Sequence, residues 1–369
     1  MKKYMATFFM TLSMGATQAA SYQATNWMAP SHILNGVAFE KLAQDLKKST
    51  NGEIDFEIFS SGSLVPAQTT LSAVGDGVAQ LGVVAASYTP SELPLSGMIN
   101  DLAFVATDDM ATAFAFTELL LKNKRLIDEY KKHNTVVLGG YSTPTYVFLC
   151  MKDVKDINDI KGKKIRTNGT AQNEWITKLG GIPVAVPMTD VYSGLERGSI
   201  DCTLSDPTNL ATGYRFWEIA KSITTLEQGT ALGVTYVVNK DFWQEIGKKN
   251  RQLFLNDVAR NLARTQIAYA QTVDIGMKGA KERKIRIIQP DSGMVTALKE
   301  FRSNIIDVYP KRTQTERKVK DPQDVAQEFL QLQEKWVALL NKINRYSEDE
   351  VTQLLKTELY AKLADSYGL

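Results

Sequence analysis

Residues 156–201 read DINDIKGKKIRTNGTAQNEWITKLGGIPVAVPMTDVYSGLERGSID, and their order of elements decides the fold class. Lys163–Thr167 is a short run with β-branched and apolar side chains, a strand. Ala171–Leu179 follows with helical spacing and stops at Gly180-Gly181, where glycine accepts the backbone of a helix end. Pro183–Pro187 is a second strand. Met188-Thr189-Asp190 opens a helix over Val191–Arg197, which ends at Gly198, and Ser199–Leu204 is a third strand. Strands that alternate with helices form α/β domains with largely parallel sheets.

The alternation continues on both sides of this stretch. Toward the N-terminus, Ser31 caps a helix with Leu34, Val37, Ala38, Leu42 and Leu46 on one face, stopped by Asn51-Gly52. Ile54, Phe56 and Ile58 alternate with Asp55 and Glu57 as a strand. A Ser/Gly loop at 60–63 leads to a helix over Thr69–Gly77, and Gln80–Ala86 is a buried strand. Asp108–Lys132 is a single long helix, followed by strands at Thr135–Leu138 and Tyr146–Met151. Toward the C-terminus, Thr235–Asn239 is a strand and Lys248–Arg283 a proline-free helix. Some 30 residues at 1.5 Å each extend about 45 Å, longer than one small domain, so this helix lies across two. From Asp321-Pro322 onward the chain is helical, and Ser347 with Glu350 forms a capping-box pattern opening a last helix, Glu348–Ala364.

The chain has 369 residues, enough for two domains. Lys plus Arg number 43 and Asp plus Glu 41, a net charge of +2, which disfavours a general nucleic-acid binder. The hydrophobic share of 44% disfavours disorder. Residues 1–19 have the plan of a secretory signal peptide: Lys2 and Lys3, an apolar stretch Met5–Met14, then small residues at Thr17 and Ala19. Cleavage after Ala19 removes two lysines and no acid, leaving a formally neutral, soluble, exported chain. Export permits Cys150 and Cys202 to pair. Each lies in an apolar stretch suited to a free, buried cysteine, which is the favoured reading, although sequence does not set their separation. No phosphate-binding glycine loop, nucleophile elbow, metal-ligand spacing or acid–base pair stands out. His133 follows Lys131-Lys132 as a solvated surface residue. His32, close to Trp27 and Pro30, lines a cleft or packs. No metal or cofactor is expected, and no enzyme activity.

The opening stretch also resembles the solute-binding proteins of TRAP transporters, the dicarboxylate-type family. The family's order is D-x-K-G-x-K-I-R, a helix, L-G-x-x-P-V, then V-Y-x-x-L-x-x-G-x-x-D. Here Asp159–Arg166, Leu179–Val184 and Val191–Asp201 supply these in order and at matching spacing. The resemblance covers roughly residues 24–310 and implies a two-lobed periplasmic binding-protein fold, class II-like, in which each lobe is a mixed sheet flanked by helices and a long helix spans both. It divides the chain into lobe I, residues 20–145 with about 236–275 returning to it, and lobe II, residues 146–235 with about 280–320. Residues 321–369 are a helical C-terminal extension.

The resemblance implies that a ligand binds in the cleft and that closure presents the complex to integral-membrane TRAP subunits. Arg166 takes the place of the arginine that binds the ligand's carboxylate. Its planar fork matches a carboxylate with two parallel hydrogen bonds. Tyr146 stands where sialic-acid binders of the family carry a second arginine. Asp206 stands near another polar contact, where an acid binds a hydroxyl or amino group and repels a second carboxylate. A decorated monocarboxylate or sulfonate therefore fits better than a plain C4-dicarboxylate. Trp27, His32, Tyr88, Thr143, Asn168, Asn209 and Tyr236 are further cleft candidates. Asn168 lies two residues after Arg166, on the same side of an extended chain. The expectation is a periplasmic monomer that carries a small organic anion, with no nucleic-acid partner. An ABC-type or sensor-linked binding protein for an organic acid is the alternative reading.

Overall fold

The computed structural model describes residues 21–369; the expected signal peptide lies outside the described residues. The chain begins with β1 (Tyr22–Thr25), and a loop leads to a π-helical segment, Leu34–Glu40, that runs directly into α1 (Lys41–Ser49). Ser31 does not cap this helix; its hydroxyl donates to the carbonyl of Gly213 instead. β2 (Phe56–Phe59), α2 (Thr70–Gly75), β3 (Leu81–Val84) and α3 (Pro94–Leu102) follow.

The expected long helix is two, α4 (Asp109–Lys122) and α5 (Lys124–Lys131). Asn123 between them has extended backbone, and its side chain accepts from the N–H groups of Arg125 and Leu126, so it caps the second helix and interrupts the first. β4 (Thr135–Ser142), β5 (Val147–Cys150), α6 (Ile157–Ile160), β6 (Lys164–Thr167), α7 (Thr170–Lys178), β7 (Ile182–Ala185), α8 (Val191–Glu196) and β8 (Cys202–Ser205) match the sequence reading closely. After α9 (Thr208–Ala211) and β9 (Ser222–Thr224) come β10 (Leu232–Asn239), α10 (Lys240–Glu245) and α11, 36 residues from Gly247 to Glu282. β11 (Arg286–Ile288), α12 (Ser292–Glu316), α13 (Pro322–Leu340) and α14 (Glu348–Glu358) complete the order.

The strands form two sheets. The first has the order β2-β1-β3-β10-β4, with β1 parallel to β2 and β3, and β10 antiparallel to β3 and β4. The second has the order β11-β9-β5-β8-β6-β7 and is also mixed. Each sheet with its helices is one lobe of an α/β protein. The chain crosses between them after β4, before β10, along α11 and, after β11, back along α12 to α3 and α13. The N-terminal part of α11 packs on α1, α14 and β4, and its C-terminal part on α9 and β11.

Cys150 and Cys202 are directly opposed on antiparallel β5 and β8, with Cα atoms 4.1 Å apart, and form a disulfide. The expectation of two separate buried thiols is corrected: it was the register of the two strands, which no local pattern encodes, that brought them together.

The C-terminal helices explain the composition of α4. Every residue from Met110 to Leu121 is buried, and a helix that is apolar all round needs cover on every side. β4 lies on one side of it and α13 on the other. Trp336 of α13 is fully buried, and its indole N–H donates to Glu118 at 2.8 Å. Lys122 and Lys335 flank the same carboxylate at 2.7 Å. Farther on, the Tyr360 and Tyr367 hydroxyls donate to the Leu138 and Val137 carbonyls of β4. Ser347 caps α14 through the Glu350 N–H, but Glu350 bonds back to Asn344 rather than to Ser347, so only half of the expected capping box forms.

Candidate functional site

A cavity of about 510 Å³, its mouth included, lies between the lobes. Trp27, His32, Tyr88 and Thr143 line it from the first lobe, and Tyr146, Arg166, Asn168, Asp206 and Asn209 from the second. Thus all but one of the residues expected at the cleft share one wall system. The exception is Tyr236. It is fully buried, and its hydroxyl donates to Asn261 of α11 at 2.7 Å, inside the first lobe. β10 does reach the cavity, but through Val234.

Among the described residues, Arg166 is the only cationic side chain on the wall. It sits at the end of β6, beneath the surface, with no exposure. Its Nε donates to the Val186 carbonyl at 3.0 Å, Nη1 to the Leu204 carbonyl at 3.4 Å and Nη2 to the Tyr88 hydroxyl at 3.1 Å. A guanidinium has five N–H groups. Three are engaged, which leaves one N–H on each terminal nitrogen for a further acceptor. Among the described residues no carboxylate lies within ion-pair distance of Arg166. A buried charge without a counter-charge is costly, by several kcal/mol.

Asp206, which begins the turn into α9, is buried and engaged with its own neighbours. One oxygen accepts from the Thr208 N–H at 3.0 Å and from the Thr208 hydroxyl. The other accepts from the Asn209 amide at 3.0 Å. Burial nonetheless pushes its carboxyl up to about 6, with these hydrogen bonds opposing the rise. His32 is likewise buried, and loss of water lowers its imidazole from 6.5 to about 4, so it is neutral at pH 7. Its Nδ1 accepts from the Leu34 N–H at 3.1 Å, which leaves the proton on Nε2. Burial also raises the Tyr146 phenol, with Arg166 opposing.

The remaining wall is mostly aromatic and apolar. Trp27 is anchored by its indole N–H to the Val83 carbonyl at 3.1 Å and meets Tyr88 edge-on, ring centres 5.4 Å apart. Met28, Tyr141, Met188, Tyr214 and Tyr269 also line the cavity and were missed in the sequence. Tyr141 carried a usable signal, since it lies two residues before Thr143 and faces the same way. Tyr269 carried none: it comes from α11, whose apolar face looks alike along its whole length.

Three sets of contacts join the lobes around the cavity. Tyr88 accepts from Arg166 and from the Met188 N–H at 3.2 Å. Ser31 and Gly213 exchange two hydrogen bonds, at 3.0 and 3.1 Å. Asp101 of α3 accepts from the Ala171 N–H at the start of α7, at 2.9 Å. The lobes are therefore closed on each other. Gly213 has φ +65°, and a Cβ there would come 2.6 Å from the His32 ring. Among the described residues no group of three His, Cys, Asp or Glu could hold a metal ion, and no helix is long and apolar enough to cross a membrane.

Comparison with known proteins agrees with this architecture. The ectoine-binding periplasmic protein of Halomonas elongata is 24% identical over 289 residues, 77% of this chain and 81% of that one. The 2,3-diketo-L-gulonate-binding periplasmic protein of Escherichia coli is 26% identical over 290 residues, 76% of this chain and 83% of that one. Among solved structures, a TRAP solute-binding protein from Rhodoferax ferrireducens, in complex with copurified benzoate, superposes with a TM-score of 0.76. It is 20% identical and covers 87% of this chain and 99% of its own. A marine metagenome TRAP solute-binding protein specific for aromatic acid ligands, with 3-hydroxybenzoate, gives 0.75 at 19% identity, covering 86% and 98%. Residues 24–312 match the family described as bacterial extracellular solute-binding protein, family 7, and the chain belongs to that family.

Proposed function

We propose that this protein captures a small organic carboxylate between its lobes outside the cytoplasm and delivers it, unchanged, to the integral-membrane subunits of a TRAP transporter. The observation that carries the reading is Arg166: a buried guanidinium, without an anionic partner among the described residues, holding two unengaged N–H groups in a cavity. A carboxylate supplies the missing counter-charge and matches the fork. The aromatic wall suits a compact, partly apolar body. Support for the class also comes from relatives that bind ectoine, 2,3-diketo-L-gulonate and benzoate.

The same reading assigns residues 1–19 to a cleaved signal peptide and treats the carrier as a periplasmic monomer. Ligand and closure are coupled because Arg166 already bonds Tyr88 across the cleft. A ligand that occupies the fork binds the closed form better than the open one, and that difference drives closure. A thermal-shift screen of organic acids against uncharged sugars and cationic amines tests the class. Acids raise the melting temperature: a ligand at 100 times its Kd adds about 2.7 kcal/mol. Stabilisation by the uncharged or cationic compounds alone would overturn it.

A further inference from the structure

The cavity contains a second polar feature, separate from the guanidinium. Asn209 is buried on the wall, and both of its amide N–H groups are committed: one to the Ser205 hydroxyl at 3.1 Å, one to the Asp206 carboxylate at 3.0 Å. This fixes the orientation of the amide, because an ionised carboxylate only accepts hydrogen bonds. The Oδ1 of Asn209 must therefore point away from Asp206, and no protein group bonds it. A buried carbonyl oxygen without a donor is unfavourable by about 1–3 kcal/mol. Beside the guanidinium, the residues of the wall thus include one acceptor of fixed orientation, Asn209 Oδ1, that no protein group matches, and one unpartnered hydroxyl, that of Tyr214.

We infer that the ligand carries, besides its carboxylate, a hydroxyl or N–H group that donates to Asn209 Oδ1, with Asp206 as the positioning residue that holds the Asn209 amide in its accepting orientation. This rests on the Arg166 reading above and narrows it. A plain dicarboxylate leaves Asn209 Oδ1 without a donor, since its second carboxylate is acceptor-only at pH 7. An unsubstituted apolar acid binds but leaves this acceptor bare. A hydroxy acid, or an acid with a ring N–H, satisfies both poles.

The test is titration calorimetry on the full mature chain with matched pairs of probes: lactate and propionate, 3-hydroxybenzoate and benzoate, pyroglutamate and cyclopentanecarboxylate, with succinate as the dicarboxylate. The expected result is that, in each pair that binds, the donor-bearing acid binds at least about tenfold tighter, one decade of affinity. Asn209→Ala brings the ratio within a pair toward one. Asp206→Asn does the same by a different route: its single side-chain oxygen stays with Thr208, its new N–H₂ faces Asn209, and the Asn209 amide turns over to present a donor. A loss of packing alone would weaken both members together and leave the ratio intact. Unsubstituted acids that bind as well as their partners, succinate as the tightest ligand, or a ratio that survives Asn209→Ala would each overturn the inference while leaving Arg166 in place. If no acid binds, or if Arg166→Met leaves both members of a pair unaffected, the carboxylate reading itself fails, and this inference with it.

Discussion

Replacing Arg166 in two steps separates its charge from its shape. Arg166→Lys keeps a cation but loses the fork, since an ammonium is a compact point charge. Of the two N–H groups left free by Val186, Leu204 and Tyr88, one parallel hydrogen bond would go. A hydrogen bond to a charged group contributes about 1.5–3 kcal/mol, so Arg166→Lys should weaken a carboxylate by roughly 10- to 150-fold. Arg166→Met removes the cation as well and leaves the ligand's charge buried and unmatched. That costs about 3–5 kcal/mol, or roughly 100- to several-thousand-fold. Titration calorimetry with the tightest acid from the screen measures both, with far-UV circular dichroism to establish that the variants are folded. A graded loss, smaller for the lysine variant than for the methionine variant, is the expected outcome. Refutation would come from the methionine variant binding within threefold of the parent, or from the lysine variant matching it, because the buried fork would then not be the anion's partner.

Three further outcomes are expected. Gly213→Ala should hold the lobes apart, because a Cβ at φ +65° meets the His32 ring at 2.6 Å; small-angle scattering should show a larger radius in saturating ligand, and an unchanged radius would count against closure through the Ser31–Gly213 contact. The double variant Cys150→Ala/Cys202→Ala should lose about 2–4 kcal/mol, the usual contribution of a disulfide, here spanning 52 residues; guanidinium unfolding measures it, and two titratable thiols in the unreduced, denatured parent would show that the bridge does not form. His32 should act on stability in acid. Its folded pKa is depressed, so its contribution is complete above about 6.5 and is lost as pH falls toward about 4. At about 1.4 kcal/mol per pH unit this reaches roughly 3 kcal/mol. The raised Asp206 carboxyl works in the opposite sense, its contribution being present in acid and lost as pH rises through about 6, so the comparison is between the parent and His32→Gln: the parent should lose ground to the variant between pH 7 and pH 4.5, and parallel curves would refute it.

The strand that carries Arg166 was legible because its signals are local; the arginine itself was singled out by the family resemblance. A turn, a K-I-R strand and a helix stop occupy a single stretch, and the strand's end faces the cleft by topology. Most strands of the two sheets were legible for a similar reason, as apolar runs set between helices, whereas β1, β9 and β11 were not read from the sequence. What escaped depends on distance along the chain. The partnership of Cys150 and Cys202 requires the register of β5 against β8. Tyr269 enters the cavity only because α11 crosses the hinge. Tyr236 looked like Tyr88 in sequence, yet Asn261, 25 residues later, holds its hydroxyl in the core. Asp206 was expected as a ligand contact, whereas its oxygens are taken by Thr208 and Asn209, residues two and three places on. The break at Asn123 was readable: an asparagine followed by a charged helical turn is a start signal, overridden here by the apolar periodicity on either side.

The contacts of Tyr360 and Tyr367 with β4 also set the two sheets apart in how far along the chain their partners lie. All strands of the second sheet lie within residues 147–288. The first sheet starts at residue 22, yet β4 receives its last partners from residues 222 and 230 positions later. Closing so long a loop is slow by comparison with local pairing. The first sheet therefore carries the larger loop-closure cost, and the second, drawn from one continuous stretch, the smaller.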